Sequence, residues 1–118
     1  MNNRQVGAKH EDKAAKLLSE NGYKILCRNF SCRIGEIDII AENEGYLCFI
    51  EVKYRSNTNY GFPSEAIDSR KRHKIVKTAQ YYMLRNNYPE YSPCRFDVVE
   101  IINNKISIKK NAFYGEWL

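Results

Sequence analysis

Two consecutive apolar runs carry charges where a buried strand would have none. The first is Gly35-Glu36-Ile37-Asp38-Ile39-Ile40-Ala41, and the second is Leu47-Cys48-Phe49-Ile50-Glu51-Val52-Lys53-Tyr54-Arg55. Ile, Val, Leu and Phe dominate both, which is strand composition. Glu42 to Gly45 joins them as a short turn. A carboxylate taken out of water without a partner is very costly unless an ion or an opposite charge compensates it. The chain must therefore fold so that these charges meet one another or a cation.

Side chains alternate along a strand, so Glu36 and Asp38 are expected on one face, and Glu51, Lys53 and Arg55 on one face of the next strand. Pairing through the turn makes Asp38 and Glu51 neighbours, with Lys53 one step further on. Two carboxylates and a lysine are too few for a calcium cage. They suit Mg²⁺ or Mn²⁺, which keep several waters and share a substrate phosphate. The competing reading is a buried ion-pair network of Asp38 and Glu51 with Lys53 and Arg55, on a scaffold without activity. Glu36 can bind metal, or pair with Arg55 or Lys53, in a supporting role.

The rest of the chain reads as elements around this pair of strands. Asn2 or Asn3 caps a first helix that runs to about Glu20 and ends at Asn21-Gly22. Gly7, Glu11, Ala14 and Leu18 share one face of it. Glu11 thus lies among small and apolar residues, either aimed at the site as a further metal ligand or paired with a lysine at the helix edge. Tyr23 to Phe30 is a first strand, roughly Gly35 to Glu42 the second, and Tyr46 to Arg55 the third. Ser56 to Pro63 has loop composition. A second helix is expected from Ser64, its N-cap, to about Asn87, with Ile75, Ala79, Tyr82 and Met83 as the core stripe. Its Arg70-Lys71-Arg72-His73-Lys74 run points all round the helix. Either it is a solvated face, or Lys71 or Lys74 meets a phosphate backbone. Arg95 to Ile102 and the edge-like Lys105 to Lys109 follow as strands. The aromatic tail, with Phe113, Tyr114 and Trp117, is expected to seal the core. Helix, three strands, helix, two strands is the order of one mixed sheet flanked by helices, an α/β fold.

The chain of 118 residues is expected to form a single domain over residues 1–118. Its net charge of +5 favours an anionic partner. If Glu11, Glu36, Asp38 and Glu51 gather around a metal, the rest carries 19 basic residues against 10 acidic ones, or +9. Met1 to Lys13 is polar, and no apolar run approaches the roughly 20 residues of a membrane span. A cytoplasmic protein with no membrane partner is expected. Cys27, Cys32, Cys48 and Cys94 fit no zinc spacing and are expected as plain thiols.

Asp38 followed by Glu51-Val52-Lys53 resembles the short D-x(n)-[DE]-x-K signature of the PD-(D/E)xK nuclease superfamily. A wider set makes the likeness specific: Gly7, Glu11, Ala14 and Leu18; Arg28-Asn29; Gly35 to Ala41; Phe49 to Arg55; Gly61 with Glu65-Ala66; Lys71; Ala79 with Tyr82; and Arg95-Phe96-Asp97-Val98-Val99. Together these resemble the YraN-type family of small bacterial proteins, whose fold is similar to that of archaeal Holliday junction resolvases. The resemblance implies a restriction-endonuclease-like core with a mixed five-stranded sheet. It makes Asp38 and Glu51 the metal-binding acids, Lys53 the motif lysine and Glu11 the acid of helix one. Ile37 stands where the superfamily name has proline, a position without chemistry. The implied function is a Mg²⁺- or Mn²⁺-dependent endonuclease hydrolysing DNA phosphodiester bonds, on branched or single-stranded DNA, with Arg55, Lys71 and Lys74 on the phosphates. Cutting a junction would call for a homodimer. The alternative is a catalytically inactive nucleic-acid-binding or adaptor module, for example beside a DNA-processing helicase.

Overall fold

The computed structural model describes residues 3–55 and 68–113, with side chains from residue 9 onward. Seven elements follow in order: α1 (Asn3–Glu20), β1 (Lys24–Ser31), β2 (Glu36–Asn43), β3 (Tyr46–Arg55), α2 (Ser69–Arg85), β4 (Cys94–Ile102) and β5 (Lys105–Phe113). The strands form one sheet in chain order. β3 and β4 run parallel, and the other neighbours antiparallel. The expected α/β class with a mixed five-stranded sheet flanked by helices is what the chain adopts.

Alternation along β3 sets the layers. Leu47 and Phe49 point to one side, where Ile75, Val76, Ala79, Tyr82 and Met83 of α2 cover them. Cys48 and Ile50 point to the other, where Ala14 and Leu18 of α1 cover them. Each face of the sheet thus has its own core, as a strand buried on both sides requires.

Turn chemistry fixes the connections. Glu44 and Gly45 both have positive φ, 54° and 83°, as do Asn103 and Asn104 at 49° and 66°. Two left-handed residues make the hairpin turn that matches strand twist. α1 ends as expected: Gly22 is left-handed at φ 85°, and the Tyr23 N–H returns to the Leu18 carbonyl at 3.0 Å. The described α2 begins at Ser69. The Asp68 carboxylate accepts the Lys71 N–H at 2.8 Å and caps the helix at Ser69. The start expected at Ser64 and the loop over Ser56 to Pro63 lie outside the described residues. β5 is longer than expected because Asn111, left-handed at φ 54°, bulges and donates its N–H to Asp97 at 2.8 Å. The strand then resumes far enough for Phe113 to stack on Phe96 at 4.9 Å. Phe113 therefore seals the core on the α2 side; Tyr114 and Trp117 are outside the described residues.

A polar cluster is buried near the β2–β3 turn. Arg95 donates to both oxygens of Asp97, to the Tyr23 hydroxyl and to Asn43 Oδ1, while the Tyr23 hydroxyl donates to Asp97 at 2.7 Å. Asp97 is 0% exposed, and these donors together with the Asn111 N–H satisfy it. All four cysteines are free. Among the described residues no helix is long and apolar enough to cross a membrane.

Candidate functional site

β2 and β3 pair from Asn43↔Tyr46 to Ile39↔Ile50, and there the ladder ends. Asp38 comes next. Its side chain replaces the missing ladder bond: Oδ2 accepts the Val52 N–H at 2.8 Å. β1 is distorted at the same level, where left-handed Asn29 (φ 54°) lies between the pairs Arg28↔Ile39 and Phe30↔Ile37. Ile37 and Ile40 both pack towards α2, so strict alternation is broken between them. Glu36 is exposed, while Asp38 is drawn into the sheet. Glu36 still lies near enough for its charge to oppose ionisation of Asp38.

Glu51 and Lys53 continue the β3 face that carries Leu47 and Phe49, so both look towards α2. Glu51 is 5% exposed. Lys71, in the first turn of α2, brings Nζ to 3.8 Å from Glu51 Oε2. Burial pushes the Glu51 carboxyl up to about 8, and the nearby Asp38 charge adds to the shift. Asp38 is also raised, by burial, against the pull of the Val52 N–H and of Lys53 and Lys71. Lys53 moves the other way, down to about 8, through burial and then through Lys71 beside it. Two acids that resist joint ionisation and a lysine that sheds its proton readily thus share one small volume. Of the other phosphate candidates, Arg55 is half-buried at the end of β3 and Lys74 is exposed.

Glu11 is buried on the expected face of α1, next to Ala14, at 8% exposure. Its partners are on β1, not among the acids. Arg28 Nε and Asn29 Nδ2 both donate to Glu11 Oε1, at 2.9 and 3.1 Å. Arg28 also binds Asp12 at 2.6 Å. Among the described residues no group of three or more His, Cys, Asp or Glu side chains is gathered as for a metal ion. Glu11 touches the acid pair only indirectly, by holding Asn29, whose backbone lies across from Asp38.

Residues 10–101 match the family model of the uncharacterised protein family UPF0102. The chain belongs to UPF0102. A UPF0102 protein of Lachnoclostridium phytofermentans is 54% identical over 117 residues, covering 98% of this chain and 99% of its own. One from Persephonella marina is 49% identical over 107 residues, covering 91% of each. One from Caldanaerobacter subterraneus subsp. tengcongensis is 47% identical over 120 residues, covering 96% and 98%. The YraN-type resemblance drawn from the motifs is thereby shown. The span matched by the UPF0102 model holds Asp38, Glu51, Lys53, Lys71 and the Arg95–Asp97 cluster, and stops before β5.

Two further features of this UPF0102 chain were not singled out from its sequence. Glu100 pairs with Lys53 in the parallel β3–β4 register. It is 8% exposed, and its Oε1 accepts no hydrogen bond, with Lys109 Nζ 3.8 Å away. The alternation Phe96, Val98, Glu100 would have placed it on the face that Phe49, Glu51 and Lys53 occupy. His10 of α1 stacks on Tyr54 of β3, ring centroids 3.9 Å apart. No local pattern pairs two rings that distant in sequence. Among the described residues, Asp38 and Glu51 could offer oxygen donors to a hard divalent cation. Their mutual repulsion in a buried site is what such an ion would relieve, and oxygen donors suit it.

Proposed function

We propose that this protein is a metal-dependent endonuclease that hydrolyses DNA phosphodiester bonds at branched or single-stranded positions. The observation that carries this reading is the acid pair itself, buried Glu51 and half-buried Asp38, brought together at a break in the sheet beside Lys53. A structural ion pair favours its charged forms and holds the acid below its ordinary pKa. Here burial and repulsion work against them, the usual signature of a site built for chemistry. Mg²⁺ or Mn²⁺ bound by Asp38 and Glu51 would supply a water of lowered pKa and neutralise charge on the phosphate. The Val52 N–H fixes the Asp38 carboxylate in orientation. Lys53, close to half-protonated near pH 8, can take the proton of a water attacking phosphorus or donate to the oxygens on which charge builds. The P–O bond opposite the water then breaks, and the leaving oxygen takes a proton from solvent. Lys71 and Arg55 are the cations placed to meet the phosphate chain, and the net charge of +5 draws it in.

The test is a panel of junction, flap, single-stranded and duplex DNAs incubated with Mg²⁺ or Mn²⁺, run beside Asp38→Ala. Cleavage of at least one substrate is expected, with a loss of at least a hundredfold in the variant. Cleavage that survives Asp38→Ala at the wild-type rate refutes the assignment. Tight binding without cleavage of any substrate replaces it with a nucleic-acid-binding or adaptor module.

A further inference from the structure

The acid pair has a cation of its own within reach. Lys71 Nζ stands 3.8 Å from Glu51 Oε2, which is ion-pair range but too long for a hydrogen bond. The root of this side chain is fixed, because its own N–H is held by the Asp68 cap at 2.8 Å. The tip is not. The Lys71 side chain keeps 44% exposure where that of Glu51 keeps 7%. Lysine is suited to this use, a compact charge on a flexible four-carbon stem. Lys53 cannot play the same part, since it is rooted on the same strand as Glu51 and is half-buried beside both acids. Arg70, Arg72, His73 and Lys74, the neighbours of Lys71 on α2, are exposed.

Resting on the function proposed above, we infer that Lys71 is an exchangeable counter-ion. It pairs with Glu51 in the metal-free protein, and gives up that contact for the phosphate of a bound nucleic acid when Asp38 and Glu51 bind a divalent cation. The physical reason is that an ammonium and a divalent cation repel at this range and cannot both answer the same two carboxylates. Removing a mobile cation from beside a buried acid leaves that acid less compensated, so the metal-free state uses Lys71 as a stand-in. Once released, the same ammonium lies one side-chain length from the acids, where a scissile phosphate would lie. Lys71 is thus a positioning residue in the absence of metal and a phosphate ligand in its presence.

The decisive variant is Lys71→Met, which keeps the apolar stem and loses the charge. Two readouts need no cleavage. In titration calorimetry with Mn²⁺ alone at pH 8.5, the variant is expected to bind at least threefold more tightly, because no ammonium has to leave. In thermal melts with EDTA at pH 8.5, above the point at which Glu51 ionises, it is expected to unfold several degrees below wild type. Saturating Mn²⁺ should close that gap, and Lys71→Arg should restore the EDTA melting temperature. Single-turnover cleavage by Lys71→Met should fall at least tenfold despite the tighter metal. An unchanged Mn²⁺ affinity, or a melting gap that persists undiminished in Mn²⁺, overturns the exchange while leaving an active wild-type endonuclease in place. Absence of any Mn²⁺ binding that depends on Asp38 in the wild type removes both the exchange and the function on which it rests.

Discussion

A glutamate that keeps its proton to about pH 8 ties the stability of this protein to pH in an unusual direction. An ordinary glutamate lets go near 4.5, so between those values the folded chain holds the proton and the unfolded chain does not. Stability contributed by Glu51 is therefore complete below about 4.5 and is lost as pH rises through about 8. Lys53 has the opposite sign: its proton leaves near 8 folded and near 10.5 unfolded, so its burial costs stability below about 8 and the cost fades as pH rises towards 10.5. In EDTA, the stability of wild type relative to Glu51→Gln is expected to decline from about pH 5 to about pH 8. Urea denaturation at several pH values reads this out, and a pH-independent difference would show that Glu51 is ionised in the usual range. Asp38, Glu51 and Lys53 were legible in the sequence because each is a charge in an apolar run. The direction of Lys71 was not. A helix spreads Arg70 to Lys74 around its axis, and which of them meets the sheet depends on how α2 packs. Glu11 was legible as a buried acid but not by its partner, because Arg28 and Asn29 reach it from a strand distorted by left-handed Asn29.

At the scale of elements, the site depends on how close α2 comes to the start of β2. Gly35 makes that approach possible. A Cβ there would meet Thr78 Oγ1 at 3.1 Å, and Thr78 is fully buried with its hydroxyl committed to the Lys74 carbonyl at 2.7 Å. Gly35→Ala forces Thr78 to give way by a few tenths of an ångström, at a cost of about 1–3 kcal/mol for overpacking. The contact falls near the middle of α2, two turns from Lys71. The variant is expected to lose stability by that amount in chemical denaturation. A second-site Thr78→Ala should recover most of the loss; failure of that rescue would point to strain in the Gly35 backbone instead. Most strand and helix positions could be read from period and turn residues, with Glu44-Gly45 and Asn103-Asn104 marking their hairpins. What could not be read were the departures from period: the irregularity in β1 between Ile25 and Cys27, the break in alternation at Asp38, and the bulge at Asn111 that lengthens β5. Each is held by a contact from another element, so local sequence carries little sign of it.

For the whole molecule, two buried charged groups play different parts. The Tyr23–Asn43–Arg95–Asp97 cluster is fully hydrogen-bonded and ties β4 to β2 and to the entry of β1. Arg95→Leu strips Asp97 of its charge partner and is expected to cost about 3–5 kcal/mol, a large share of the roughly 5–15 kcal/mol that a domain commands. Denaturant midpoints measure this. A loss under 1 kcal/mol would mean that Tyr23 and the Asn111 N–H suffice to hold Asp97. The acid pair, by contrast, is disfavoured chiefly by its burial, so the scaffold and the site are stabilised by different residues. The parallel pairing of β3 with β4 also sets an order in time. β1, β2 and β3 join through short turns and can associate as soon as they are made. β4 must wait for the whole of α2, and closing so long a loop carries an entropic cost that local hairpins avoid. On a chain growing from its N-terminus, Asp38, Glu51 and Lys53 are therefore present early and remain wet, with ordinary acidities. They become a site only when α2 and β4 pack against β3 and shut the water out.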